Sequence, residues 1–423
     1  MYDQLIAYLD SHCFLGPNQF AFRSNHSTIS ALIKFTADIF IGADEGLKTT
    51  AILYDLAKCF DSIDRRLLLD KLNHYGINTN EHAWFASYLS GRTQCTKSAS
   101  QLSSPKAVEY GIPQGSNMAP ILFLLFINDL PNAIVHSYLV QFADDTTVYC
   151  SDTSENTIYS QVQADIDNVI AWFNHNRVTV NNDKCMTITF GTRQNLWSRT
   201  DTPSQYMLGG ASDGDAVHRT DSCKLLGAML DKNMDYSHHC SQLCKKLLFK
   251  YKLFKRLRSF IPENIMISMY NTLVQPTIDY GLCVWGYAPR CQLNKVQRIQ
   301  GKFARLLTNN FDYVNARSAD LLSTLHIPTI DQRRDYFTAI EMYKILNGKS
   351  PAVLQDYFTK VLHAVNTRRT DDPLLLDHCT FNTEFFKRSF IFNGTVIWNL
   401  LPFNLRTQPT LGSFKTMYKC LFF

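Results

Sequence analysis

The chain has 423 residues, about three times the usual size of one domain, so two to four units are expected. An apolar fraction of 45% and a charged fraction of 19% exclude global disorder, and 42 basic against 37 acidic residues leave a mild net charge of +5. The longest strongly apolar run, Ile121 to Ile127, is far short of the roughly 18 residues that span a bilayer, and no signal-peptide pattern opens the chain. A membrane protein, a fibrous repeat and a small secreted scaffold are thereby excluded, and an intracellular protein of several domains is expected.

In chain order, residues 1–47 begin with a helix, turn at Gly16-Pro17-Asn18, and form a second helix from Ser27, a good N-cap, to Ile41. Thr49 to Leu56 (TTAILYDL) reads as a buried strand by its apolar and β-branched run. Asp61 to Asp64 start a helix with acids in its first turn, continued by Leu68, Leu72 and Tyr75 and stopped at Gly76. A helix over His82 to Leu89 and strands near 94–100 and 106–110 follow. Gly111 to Pro120 (GIPQGSNMAP) is a turn-rich loop opening into the apolar helix Ile121 to Leu130. Tyr138 to Tyr149 (YLVQFADDTTVY) reads as a hairpin with Asp144-Asp145 at its tip. Ile158 to Phe173 is an amphipathic helix, Cys185 to Phe190 a strand, 192–220 a polar boundary and Lys224 to Leu230 a further strand. From Tyr236 the pattern is helical. Leu243, Leu247, Tyr251, Phe254 and Leu257 form one stripe, with Lys245, Lys252 and Arg256 opposite. Two more helices are expected around 263–282 and 291–309, and another near 331–347.

The twelve cysteines are scattered and include no C-x-x-C pair, so reduced thiols are expected rather than a disulfide framework. His238, His239, Cys240 and Cys244 cluster, but no second Cys/His pair follows at zinc-finger spacing. An ordinary helix start is preferred to a zinc site. Charge is uneven: Ser241 to Asn310 holds twelve Lys and Arg residues against Glu263 and Asp279 alone, a net +10 that leaves −5 elsewhere. Such a segment is either a polyanion-binding face or a solvated basic helix surface.

Three acids sit where acids are costly. Asp55 ends an apolar strand, and Asp144-Asp145 interrupt an apolar hairpin; a divalent cation offsets that cost well. An acid on one strand facing an acid pair on a neighbouring hairpin suits two magnesium ions in an in-line displacement on a triphosphate. A lone Asp-Asp at a turn is commonly just a turn.

YDLAKCFDSID, GIPQGSNMAP and FADD, in that order, resemble motifs A, B and C of reverse transcriptases. NQFAFRSNHST resembles the finger motif upstream, NNDKCMTITFG motif D, and LLGAMLD (Leu225 to Asp231) the following primer-contacting motif. Tyr280-Gly281, Trp285-Gly286 and the late string IWNLLPFNLR are similar to non-LTR retrotransposons of the Jockey and CR1 type.

The resemblance implies an α+β fold of right-hand polymerase type: partial fingers at 1–47, an antiparallel palm at 48–220, a primer-contacting strand and helical thumb at 221–310, and a small α+β C-terminal domain at 311–423. It implies an RNA-directed DNA polymerase that adds deoxynucleotides to a DNA 3′-OH. Asp55, Asp144 and Asp145 would be catalytic and hold two Mg2+ ions, with Mn2+ as a substitute. The Leu56 carbonyl would add a metal ligand, and backbone N–H groups from Ala57 to Phe60 would touch the triphosphate. Phe60 stands at the family's position for the aromatic that blocks a 2′-OH. Gln114 and Gly115 match the loop against the incoming nucleotide, Lys184 a proton donor to pyrophosphate, and Arg23 a phosphate or template contact. Lys245, Lys252 and Arg256 would grip the nucleic acid. Core aromatic, strand-edge lysine and structural ion pair are the plain alternatives for Phe60, Lys184 and Arg23.

The implied partners are an RNA template, a DNA primer and deoxynucleoside triphosphates, with no membrane and with the endonuclease outside this chain. Localisation is nuclear by analogy, otherwise cytoplasmic. The chain is expected to begin inside the fingers, as a truncated copy. The alternative function is therefore a catalytically dead remnant that binds nucleic acid only. An RNA-dependent RNA polymerase is disfavoured by Phe60 and FADD. Arg368-Arg369 and Lys387-Arg388 are candidate RNA contacts, with surface charge beside core aromatics the preferred reading.

Overall fold

The computed structural model describes residues 1–197, 205–209, 214–361 and 372–423. Contacts divide the chain into two compact units: Met1–Ala31 with Lys48–Thr189 and Arg199–Thr220, and Leu32–Leu47 with Phe190–Ser198 and Asp221–Phe423. Residues 221–310 and 311–423, expected as thumb and separate C-terminal domain, fall in one unit.

Helix α1 (Tyr2–Ser11) belongs to the first unit; α2 (Thr28–Asp44), most of which falls in the second, is capped by the Ser27 hydroxyl, which accepts from Ser30 N–H at 3.1 Å. Strand β1 (Lys48–Tyr54) is buried along its whole length. The short helix α3 (Cys59–Ser62) ends at Ile63, which is extended, and Asp64 then caps α4 (Arg65–His74). The acids of 61–64 thus belong to two helices, not to one first turn. Asp64 accepts from Arg66 N–H at 2.8 Å and Leu67 N–H at 3.2 Å, the usual reward of an N-cap carboxylate. Helix α5 (Thr79–Leu89) follows, then four two-residue strands: β2 (Thr93–Gln94), β3 (Lys97–Ser98), β4 (Gln101–Leu102) and β5 (Lys106–Ala107). Helix α6 (Met118–Ile127) is buried on nearly every side, as its unbroken apolar sequence requires.

Strands β6 (Tyr138–Phe142) and β7 (Asp145–Asp152) form the expected hairpin, and α7 (Glu155–His175) and β8 (Met186–Phe190) complete the core layer. After α8 (Arg193–Trp197) come β9 (Met207–Leu208), β10 (Asp215–Ala216) and β11 (His218–Arg219). The main sheet runs β11-β8-β1-β7-β6, with β1–β7 and β7–β6 antiparallel and β11–β8 parallel. Ile52, Tyr54 and Val148 of the sheet share one core with Leu122 of α6 and Ile158, Val162, Ile166 and Phe173 of α7. The polar segment after 192 is therefore part sheet edge, since β11 adds to β8. The chain is α+β, as expected.

The second unit contains the hairpin β12 (Ser222–Leu225) and β13 (Ala228–Asp231), turning through Leu226 and Gly227, both at positive φ. Helix α9 (Ser237–Leu257) buries Cys240, Leu243, Leu247 and Phe254. Lys245, Lys252 and Arg256 stand exposed. The helix expected over 263–282 is broken into α10 (Glu263–Met269), one π-helical turn at Tyr270–Val274, α11 (Gln275–Asp279) and α12 (Leu282–Trp285). Pro276, which has no N–H to donate, sits just past the π turn. Helix α13 (Arg290–Thr308) packs on α9 through Phe303, whose ring lies 5.4 Å from Phe254 edge-on. Helix α14 (Ser318–Thr324) packs on α13, and α16 (Phe390–Leu400) and α18 (Leu411–Phe422) pack on α15 (Ile330–Leu346). Among the described residues no helix is long and apolar enough to cross a membrane.

Candidate active site

The sheet register does most of the positioning. Tyr54 pairs with Thr146 at the end of the β1–β7 ladder, so Asp55 is the next residue of one chain and Asp145 the next of the other. Asp144 occupies the β6–β7 turn with Ala143, which takes a positive φ of 54°. A left-handed alanine is strained and needs external support. Gln19 supplies it. Its side chain is buried, and Oε1 accepts from the N–H of Ala143 at 3.0 Å and of Ala21 at 3.0 Å. The Gln19 backbone also bridges Gln141, with Phe20 N–H donating to Gln141 C=O and Gln141 N–H to Asn18 C=O, each at 2.8 Å. Sequence reasoning missed Gln19; a polar residue that must be buried amid NQFAFR was the only signal. Gln19→Leu is expected to leave two buried N–H groups unpaired and to cost about 2–4 kcal/mol, read as a lower urea midpoint at unchanged m-value.

Motif D is held to motif A by backbone. Ala57 N–H donates to Thr179 C=O and Asn181 N–H to Asp55 C=O, both at 2.8 Å, around an antiparallel bridge between Leu56 and Val180. In such a pair the bonds belong to the flanking residues, so the Leu56 carbonyl turns away from 180 toward the β7 side. The same bonding spends the Ala57 N–H expected to meet a triphosphate. Lys184 is delivered beside Asp55, with Nζ 3.3 Å from Oδ2, both side chains well exposed. In that exposure the pair adds little stability.

All three acids act on one buried neighbour. Burial pushes the Cys59 thiol up to about 12, and the charges of Asp144, Asp55 and Asp145 push the same way. The carboxylates nevertheless do not close into a cation cage. Among the described residues, no three His, Cys, Asp or Glu side chains converge closely enough to hold a metal ion. Residues 144 and 145 cannot both follow one strand face, three like charges repel, and Lys184 offsets that of Asp55. In donor chemistry and backbone placement the set still fits a hard divalent cation.

Phe60 stacks on Phe123 of α6 at 4.7 Å and 21° and lines a pocket of about 750 Å3 with Gln114, Gly115, Phe22 and Tyr2. The loop before that pocket is fixed from two sides. Gly111 N–H and Ile112 N–H donate to Ile63 and Phe60 carbonyls at 2.8 Å, and Gln114 Nε2 donates to Asp61 at 2.7 Å. Arg65 supplies the other clamp: Nε, Nη1 and Nη2 donate to the carbonyls of Gly111, Val108 and Tyr110 at 2.8, 2.6 and 2.9 Å. Arg65 too was not legible in sequence. Arg23, expected at phosphate or template, donates Nη1 to Gly16 C=O at 2.6 Å and Gln19 C=O at 3.2 Å. Burial lowers its pKa, and it closes its own loop rather than forming an ion pair. Its neighbour Phe22 is the residue that reaches the pocket.

In the second unit, the His238–Cys244 cluster is a helix start. His239 is half-buried, accepts from Met229 N–H at 3.2 Å, and is pushed down to about 4 by desolvation and by Lys246. Several cations of the basic segment have structural work. Arg305 donates to Asp312 and Ala316 carbonyls beneath the Tyr313 ring, and Arg290 pairs with Asp331 at 2.7 Å. Lys387 pairs with Glu384 at 2.6 Å, and Arg388 lies 4.7 Å from the Phe385 ring centre. Arg368-Arg369 fall outside the described residues.

Residues 1–230 match the family described as reverse transcriptase (RNA-dependent DNA polymerase). The chain is 24% identical over 312 residues to a probable RNA-directed DNA polymerase from the X-element transposon of Drosophila melanogaster, covering 72% of this chain and 33% of that protein. It is 24% identical over 327 residues to the RNA-directed DNA polymerase of the jockey mobile element of the same species, covering 74% and 34%. This chain thus spans about a third of the length of these relatives. Among solved structures, apo telomerase from Candida tropicalis aligns with a TM-score of 0.38 at 11% identity, over 77% of this chain and 60% of that one.

Proposed function

The chain belongs to the reverse transcriptase (RNA-dependent DNA polymerase) family, and from that premise we propose that it extends a DNA 3′-OH on an RNA template with deoxynucleoside triphosphates. The observation that carries the reading is the register that brings Asp55 and Asp145 to the same end of the β1–β7 ladder, beside the turn holding Asp144.

Enzymes of this family use divalent metal ions. Asp55, Asp144, Asp145 and the Leu56 carbonyl are the groups that would hold two Mg2+ ions. Bound there, the metal activates the 3′-hydroxyl and offsets the charge of the triphosphate. The rest falls to the chain. N–H groups of Lys58 to Phe60 face the phosphates, and Lys184, beside Asp55, gives a proton toward the leaving pyrophosphate. Gln114 and Gly115 seat the base pair. Phe60, braced by Phe123, stands where a ribose 2′-OH would project. Exposed Lys245, Lys252 and Arg256 bind the duplex phosphates without reading sequence. The likeness to the jockey and X-element polymerases supports an origin in a non-LTR retrotransposon, and action in the nucleus is proposed by analogy.

Primer extension on an RNA template with Mg2+ tests this. Deoxynucleotide addition is the expected result, and binding of hybrid without addition would instead establish the nucleic-acid-binding remnant. Phe60→Val is expected to raise ribonucleotide use, lowering the deoxy-to-ribo ratio of kcat/KM by about 100-fold, near 3 kcal/mol. An unchanged ratio would remove Phe60 from sugar selection.

A further inference from the structure

We propose that a cavity of about 640 Å3 lined by Arg65, Arg66, Arg92 and Arg177, with the β2–β5 finger rooted in it, is a second nucleic-acid contact that takes phosphates of the template backbone outside the catalytic pocket. The proposal rests on the polymerase reading above.

Four guanidinium groups meet two carboxylates at this cavity, Asp64 and Glu109. Asp64 is already spent. It is buried, caps α4 and accepts from Arg177 Nη1 at 2.5 Å. Burial opposes its charge, but the bonds from Leu67 N–H, Arg66 N–H and Arg177 outweigh it and hold its pKa below the ordinary range. Arg65 is occupied by three carbonyls, as described. Arg66 and Arg92 are exposed and have no acidic partner among the described residues. They are the free anion receptors of the cavity. Their placement is costly in isolation. Arg65 and Arg66 open α4, the end of a helix that disfavours cations, and Arg92 lies near enough to add to the effect of burial in lowering the Arg65 pKa. A local rule broken at several neighbouring residues is what a binding site leaves behind.

The finger itself points the same way. Every residue from Ser90 to Ala107 is exposed, and no acid occurs from Ser90 to Val108. The two short hairpin ladders, Thr93–Ala107 with Gln94–Lys106 and Lys97–Leu102 with Ser98–Gln101, carry hydroxyl, amide and ammonium groups and bury no core. A ribbon with so little apolar burial gains little from folding alone. Lys97 and Lys106 extend the positive charge of the cavity along it. Phosphodiesters fit this chemistry: guanidinium forks bind phosphate oxygens in pairs, and hydroxyl and amide side chains bind sugar and phosphate.

The test uses the full chain carrying Asp144→Asn, so that binding is read without nucleotide addition and apart from any failure of the polymerase reading. Anisotropy of a labelled single-stranded RNA is followed against salt. Arg66→Gln with Arg92→Gln is expected to weaken binding about tenfold at 0.1 M salt. The slope of log K against log[salt] should become shallower by about 1.4, two contacts at roughly 0.7 each. Lys97→Gln with Lys106→Gln, on the outer finger, is expected to lower the slope in the same direction. Unchanged affinity and slope in both pairs would overturn the proposal. Loss of pyrophosphate binding in calorimetry with RNA affinity and slope intact would also overturn it, by making the cavity a free-phosphate site. Thermal midpoints within about a degree of the parent show that the variants fold, as expected where neither arginine has a partner.

Discussion

Asp144→Asn is expected to abolish primer extension, lowering single-turnover nucleotide addition on the order of 1,000-fold, about 4 kcal/mol of transition-state stabilisation. The carboxylate is half-exposed at the β6–β7 turn, so its loss breaks no packing, and the thermal midpoint should stay within about two degrees. Affinity for an RNA–DNA hybrid should also hold, because the α9 lysines proposed to bind the duplex are untouched. Activity within tenfold of the parent would show that Asp144 does not take part in the reaction, and the two-metal reading would fall with it. Parallel loss of folding would be equally damaging, since it would make the residue a structural one.

Gly111→Ala is the second large effect. Gly111 has φ +80°, and an added Cβ would lie 2.6 Å from the Asp61 carbonyl oxygen and 2.7 Å from its Cα. Both obstacles are backbone, held by the Gly111-to-Ile63 hydrogen bond and by the Arg65 clamp. The loop must move away from Phe60 or the turn before α4 must open. A cost of about 3–4 kcal/mol is expected, lowering the midpoint of the first unit by roughly 6–16 °C. Gly115→Ala is the matched control. It has a similar φ of +78° but nothing within 4 Å, so only the backbone preference of about 1 kcal/mol is lost. Equal effects from the two variants would mean that steric approach at Gly111 does not fix the loop.

The residues proposed to carry the chemistry were legible because their signals are local. A β-branched run ending in Asp55, an apolar hairpin broken by Asp144-Asp145 and a Gly-Ile-Pro-Gln-Gly turn each announce themselves within a dozen residues. Helix α9 was legible for the same reason: a 3.6-residue period needs no knowledge of what it packs against. The helix over 263–282 was not, because its π turn is settled by how Tyr270 and Gln275 pack in the second unit, where Tyr270 Oη donates to Gln275 at 3.0 Å. The split of 61–64 into a short helix and an N-cap likewise depends on Ile112 and Gly111 pairing with Phe60 and Ile63 carbonyls about fifty residues away.

The sequence by itself determined the chemical inventory: three carboxylates, a lysine, a braced aromatic and a basic helix, in an order that names the family. Only the tertiary structure decided their mutual geometry. It brought Asp55 and Asp145 to the same end of the β1–β7 ladder, placed Lys184 on Asp55, and revealed Gln19 and Arg65 as the supports of the two loops. It also left the three carboxylates short of a closed cluster. The physical reason is that strand register and side-chain-to-carbonyl bonds join residues 40 to 130 positions apart. Such contacts leave no period in the chain, because one partner is a backbone group that every residue possesses.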